Sequence, residues 1–150
     1  MLKNKVVVLT GGAGRLGSAI SRSIIENNGR VVLVDINQDS LLRINEELGD
    51  EYCLTLNVDS SNAENASFVI ESAISKFGKV DAVIHSSYPR SPQWGVKFED
   101  ITEKYLNEDL SSQIGGSIIF SQKVLSYFSK VQNGNLIFVS SIQGSMAPKF

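Results

Sequence analysis

Residues 6–17 bind the chain to a narrow set of folds. The apolar run Val6, Val7, Val8 and Leu9 leads straight into Thr10-Gly11-Gly12-Ala13-Gly14-Arg15-Leu16-Gly17. Beyond it, Leu16, Ile20 and Ile24 recur at helical spacing. Strand, glycine turn and helix in that order form a dinucleotide site. The glycines let the backbone turn sharply and approach a pyrophosphate, and the helix N-terminus offers free N–H groups and a positive dipole end. A second run, Val31-Val32-Leu33-Val34, ends in Asp35, 18 positions after Gly17. An acid about 20 residues on is where a ribose hydroxyl is held. Arg15 stands in the first turn of the helix, where the dipole disfavours a cation unless an anion is near.

Elsewhere, short apolar runs alternate with helical patterns, which predicts a parallel sheet covered on both faces. Strands are expected at 5–9, 31–35, 52–56, 81–85 and 135–140, each continuously apolar because both faces are buried. Leu41, Ile44 and Leu48 predict a helix that stops at Gly49. Ser61 and Glu64 have the spacing of a capping box for a helix carrying Ala66, Val69, Ala73 and Phe77, closed by Gly78. After a loop with Pro89, Pro92 and Gly95, one long helical stretch is expected over roughly 101–130. Right-handed crossovers and a reversal after the third strand give a doubly wound, Rossmann-type α/β sheet in the order 3-2-1-4-5. Its ligand crevice lies at the carboxyl ends of strands 1 and 4.

At 150 residues the chain is read as a single dinucleotide-binding domain, residues 1–150, large enough for a real core. A net charge of -2 with no basic stripe argues against nucleic acid as a partner. The one cysteine, Cys53, has no partner for an internal disulfide and sits in an apolar segment, as a small core residue does. No signal peptide follows Met1, and no apolar run approaches the length of a membrane span. A cytoplasmic protein is expected.

Together these pieces resemble the short-chain dehydrogenase/reductase family over nearly the whole chain. Residues 10–17 are similar to its cofactor turn, T-G-x-x-x-G-x-G, except that Arg15 stands at the second glycine and Gly14 comes one position early. They also fit T-G-x-x-G-x-x-G, the spacing of the extended, sugar-nucleotide branch. Asn57-Val58-Asp59 resembles the D-V-x segment that contacts adenine, with Asn57 replacing the family acid. His85-Ser86-Ser87-Tyr88 takes the place of the N-N-A-G segment and departs from it at every position. The segment from Gly134 to Ser141 resembles the strand that ends in the catalytic serine. The resemblance thus implies a cofactor site of Thr10, Gly11, Gly14, Arg15, Leu16, Gly17, Asp35, Asn57, Val58, His85 and Ser86, with Ser141 as the carbonyl partner. Gln113 falls where many members have a helical Asn that orders a proton-relay water. Tyr88-Pro89-Arg90, Gln113-Ile114-Gly115-Gly116 and Ser121-Gln122 are closer still to a subgroup associated with flagellin and surface-glycan pathways, including nonulosonic acid synthesis.

What the resemblance implies is an NAD(P)-dependent oxidoreductase acting on a hydroxyl or carbonyl, of a sugar-like intermediate of glycan biosynthesis. NAD is the expected cofactor, since an acid at Asp35 disfavours a 2′-phosphate. Arg15 keeps NADP open, because an arginine at the phosphate turn can pair with that group. His85 also reads as an ordinary satisfied histidine, and Tyr88 and Arg90 as plain loop residues. The family's Tyr-x-x-x-Lys pair is missing: no Tyr in these 150 residues has Lys four positions on. The chain therefore reads as truncated before that segment, and the alternative function is a catalytically incompetent relative that binds a dinucleotide or a partner. Strand 5 is apolar on both faces and the long helix covers only one. An open edge of this kind predicts weak stability alone and self-association, as a homo-oligomer or through that edge.

Overall fold

The computed structural model of the protein describes residues 1–144. Five parallel strands, β1 (Val6–Thr10), β2 (Arg30–Asp35), β3 (Cys53–Asn57), β4 (Ala82–His85) and β5 (Asn135–Phe138), form one sheet in the order β3-β2-β1-β4-β5. This is the expected Rossmann-type topology. Five helices connect them: α1 (Arg15–Glu26), α2 (Gln38–Leu48), α3 (Ala63–Phe77), α4 (Glu103–Leu110) and α5 (Gly116–Val131).

Side chains alternate along a strand, so each strand feeds two cores. Val6, Val8, Val32, Val34 and Val83 point to one face, where Val69, Ala73, Phe120 and Val124 from α3 and α5 cover them. Val7, Leu9, Val31, Leu33 and Cys53 point to the other, under Ile24 of α1 and Leu41 and Ile44 of α2. The register sets Thr10 beside Val34 and His85, Asp35 beside Asn57, and His85 beside Phe138. The polar carboxyl ends of β1 to β4 thus come together along one edge of the sheet, with Phe138 of β5 beside them. At the opposite edge Asp81 accepts from the backbone N–H of Val6 at 2.9 Å and pairs with Lys5 and Lys79.

One local expectation is corrected. The cap of α3 is Asn62 rather than Ser61: its side-chain oxygen accepts from the N–H groups of Glu64 and Asn65 at 2.8 and 3.3 Å. Asn and Ser cap about equally well, and the helix begins one residue later than the Ser61 spacing implied. The helical stretch expected over roughly 101–130 is present, running without a break from Glu103 to Val131. Within it a π-turn over Ser111–Gly115 joins α4 to α5, and a short 3-10 turn at Phe98–Asp100 precedes them. The Gly115-Gly116 pair lies at the close of the π-turn, and at Gly116 a side chain would run into Ser61, with an added Cβ 2.5 Å from the Cβ of Ser61. Among the described residues no helix is long and apolar enough to cross a membrane.

Candidate functional site

The glycine turn is shaped by close approach. Gly11 has φ +65, and a Cβ there would stand 2.7 Å from the carbonyl oxygen of Ser86, so the end of β1 presses against the segment after β4. At Gly17 a Cβ would lie 2.2 Å from the oxygen of Gly11, which fixes how tightly α1 packs onto the turn. Gly14 caps α1 with no side chain of its own. The first N–H groups of α1, those of Arg15, Leu16 and Gly17, have no acceptor within the helix and open at the turn with the positive end of the dipole.

Asp35 braces that turn from the neighbouring strand. One carboxylate oxygen accepts from the N–H of Ala13 at 3.1 Å, the other from Asn37 at 3.0 Å, and the Asn57 amide donates to the Asp35 carbonyl at 3.0 Å. A cavity of about 290 Å³ opens between these segments. Of the residues singled out in the sequence, Gly11, Gly14, Asp35, Val58, His85 and Ser86 line it. Thr10 is fully buried beneath it, and Arg15, Leu16, Gly17 and Asn57 flank it without forming its wall. Ser141 follows β5 at the same edge of the sheet and opens the 3-10 turn Ile142–Gly144, with its carbonyl accepting from Gly144 at 3.1 Å. It is exposed and outside the cavity wall.

Sequence reasoning passed over Ile36, Ser60, Ser112 and Ser117, which also line the cavity. Ser60 and Ser87 stand 3.2 Å apart across it, joining the end of β3 to the loop after β4. Their signal was positional, since each follows a strand end or lies in the π-turn and its exit. Tyr88 leads out of the cavity onto a small aromatic cluster. Trp94 meets its ring edge to face at 5.1 Å and the Arg90 guanidinium lies over it at 5.5 Å. Gln113 turns its amide to the Pro89 carbonyl at 2.9 Å and ties the π-turn to this loop. Among the described residues no cluster of potential ligands could hold a metal.

The backbone turn, the unshielded helix N-terminus and the acid at the neighbouring strand end together suit an extended diphosphate-bearing ligand. A phosphate lies well on N–H groups that no side chain covers, and Asp35 keeps lone pairs for hydroxyl donors.

A family model described as short chain dehydrogenase matches residues 5–150. The post-translational flagellin modification protein A of Campylobacter coli is 36% identical over 154 residues, covering 100% of this chain and 60% of that protein. A 3-ketoacyl-(acyl-carrier-protein) reductase from Brucella melitensis, solved in complex with NADH, superposes with a TM-score of 0.84 at 25% identity, over 99% of this chain and 62% of the other. An NAD+-bound xylitol dehydrogenase shares the fold, with a TM-score of 0.86 at 18% identity over 98% of this chain and 56% of the other. The chain therefore spans about 60% of the length of the relatives it matches.

Proposed function

The chain belongs to the short-chain dehydrogenase family, and from that footing we propose that it carries the cofactor site of an NAD-dependent oxidoreductase acting on the hydroxyl or carbonyl of a sugar-like intermediate. The observation that carries this reading is Asp35, whose carboxylate lines the cavity beside the glycine turn. The bound nicotinamide supplies hydride exchange, and the protein supplies its placement. Gly11 and Gly14 let the backbone approach the diphosphate. The N–H groups of Arg15, Leu16 and Gly17 meet its charge. Asp35 takes the adenosine ribose hydroxyls, while Asn57 and Val58 border the adenine and His85 and Ser86 border the opposite side. Asp35 also repels a 2′-phosphate, which sets NAD above NADP; Arg15 is the group that would serve NADP.

Ser141 stands at the strand end from which a hydroxyl can reach a substrate carbonyl and hold its oxygen as charge builds. The flagellin-modification relative supports a glycan-related substrate. So do Tyr88 and Trp94, half-exposed aromatic rings of the kind that suits the apolar face of a sugar ring. In this reading the enzyme is cytoplasmic, where nicotinamide cofactors are available, and associates as a homo-oligomer or through β5.

Calorimetric titration with NAD and NADP tests the assignment. Asp35→Ala is expected to weaken NAD about tenfold, the scale of one hydrogen bond to a charged group, and to narrow the gap to NADP. An unchanged ratio of the two affinities would remove Asp35 from the ribose role.

A further inference from the structure

His85 is the sole histidine of the 150 residues, and it stands 6% exposed at the carboxyl end of β4. Its surroundings come from four elements. β1 contributes Thr10, whose hydroxyl lies 2.9 Å from Nδ1; α5 contributes Ser117, 3.1 Å from Nε2, and Phe120, stacked at 5.2 Å. β5 contributes Phe138, edge-on at 5.3 Å, and the segment after β4 follows directly. No charged or titratable side chain stands among these contacts, and burial alone pushes the imidazole pKa below its ordinary value.

The hydrogen bonds around the ring admit one arrangement of protons. The Thr10 hydroxyl oxygen accepts from the N–H groups of Ser86 and Ser87, each at 3.2 Å. A hydroxyl has two acceptor sites and one proton, so the Thr10 proton is left for Nδ1 of His85. Nδ1 then carries no hydrogen, and the neutral ring holds its proton on Nε2, which donates to Ser117. The Ser117 hydroxyl in turn donates to the Gln113 carbonyl inside the π-turn. One directed chain thus runs from the backbone after β4, through Thr10 at the start of the glycine turn, to the π-turn between α4 and α5.

We propose that His85, held as the neutral Nε2–H tautomer, is a positioning residue for the glycine turn, and that its protonation loosens the turn and weakens dinucleotide binding. An imidazolium carries hydrogen on both nitrogens, so Nδ1–H and the Thr10 O–H become two donors facing each other. Thr10 restores the contact only by turning a lone pair to the ring, which gives up the amide of Ser86 or Ser87. Gly11 is packed against the Ser86 carbonyl, so the segment cannot shift without the turn. The last step rests on the cofactor reading above; the coupling of ring to turn does not.

Nitrogen-15 spectroscopy of the full chain, with and without NAD, tests both parts. The expected spectrum shows Nε2–H, a single titration with a midpoint below the ordinary histidine value of about 6.5, and backbone amides of Gly11, Ser86 and Ser87 moving with that midpoint. Calorimetry should show NAD affinity falling as pH is lowered through the His85 midpoint, approaching about tenfold per pH unit below it until the bound protein also titrates, with the size set by the difference in His85 pKa between free and bound protein. His85→Gln, whose amide does not titrate, should lose the pH step in NAD affinity whatever its absolute affinity. His85→Phe keeps the packing against Phe120 and Phe138 but should bind NAD more weakly at every pH. Ser117→Ala serves as a second probe: Thr10 still donates to Nδ1, so the ring should stay Nε2–H while losing its acceptor on α5. An Nδ1–H ring, amides that ignore the titration, or a pH step that survives in His85→Gln would each overturn the proposal. Amides that follow His85 in a chain that binds no NAD at any pH would uphold the coupling and discard the cofactor reading.

Discussion

At Gly17 two effects of one methyl group oppose each other, and their sizes decide the outcome. Replacing a helical glycine by alanine ordinarily stabilises by about 1 kcal/mol. Here the new Cβ would stand 2.2 Å from the Gly11 oxygen and 2.8 Å from the Gly12 Cα, all rigid backbone. Overpacking of this kind costs roughly 1–3 kcal/mol, so Gly17→Ala should be destabilised in urea unfolding, and a more stable variant would refute the close packing. Asp81 offers a second single-residue test, at the other end of the strands. Burial pushes its pKa up, but Lys79, the Val6 N–H and Lys5 outweigh that and hold the carboxyl below its ordinary value. A carboxylate depressed by folding adds stability above its unfolded pKa and loses it as pH falls through the folded one. Asp81→Asn should therefore cost about 1–3 kcal/mol at neutral pH, with the gap to the parent closing below about pH 3–4. A gap that stays constant well below that pH would show that the charge of Asp81 contributes nothing.

Elements of the sheet were legible because each strand is a run of apolar residues closed by a polar one, and each helix ends at a glycine or polar cap. Val31 to Val34 before Asp35 carries both signals at once. The helix starts were harder to read. Ser61 and Asn62 are both good caps, and the choice depends on which side chain reaches the N–H groups of Glu64 and Asn65, a matter of one residue of register. Asn62→Ala should cost about 0.5–2 kcal/mol, whereas Ser61→Ala should stay within about 0.5 kcal/mol. Equal losses in thermal melting would restore Ser61 as a cap. The π-turn was invisible for a different reason. Apolar residues at Leu106, Leu110, Ile114 and Ile118 keep a helical spacing straight through it, so periodicity carries no mark of the extra residue. Within the site, Asp35 and the glycines were readable because their chemistry is local. Ser117 and Ser60 were not, since they reach the cavity only through packing between elements distant in the chain.

On the scale of the whole molecule, the two faces of the sheet are unequally covered at β5. Leu136 packs into the core beneath α3 and α5, yet Ile137 is 49% exposed, Phe138 47% and the following Val139 44%. Alongside, Ile114 at 57%, Ile118 at 63% and Leu125 at 53% continue the apolar surface across the π-turn and α5. Each such side chain forgoes part of the roughly 1.5–3 kcal/mol that full burial would contribute, against a typical stability of about 5–15 kcal/mol. A parallel edge strand with unpaired N–H and C=O groups is also a template for another chain. The 150 residues on their own should therefore self-associate and bind a dye for exposed apolar surface, with sedimentation velocity showing a concentration-dependent coefficient. Ile137→Lys places a charge on the edge and should shift that distribution toward monomer, while Ile118→Glu does the same if the α5 face takes part. A stable monomer that melts cooperatively and ignores the dye would mean that β5 and α5 are adequately covered within the chain.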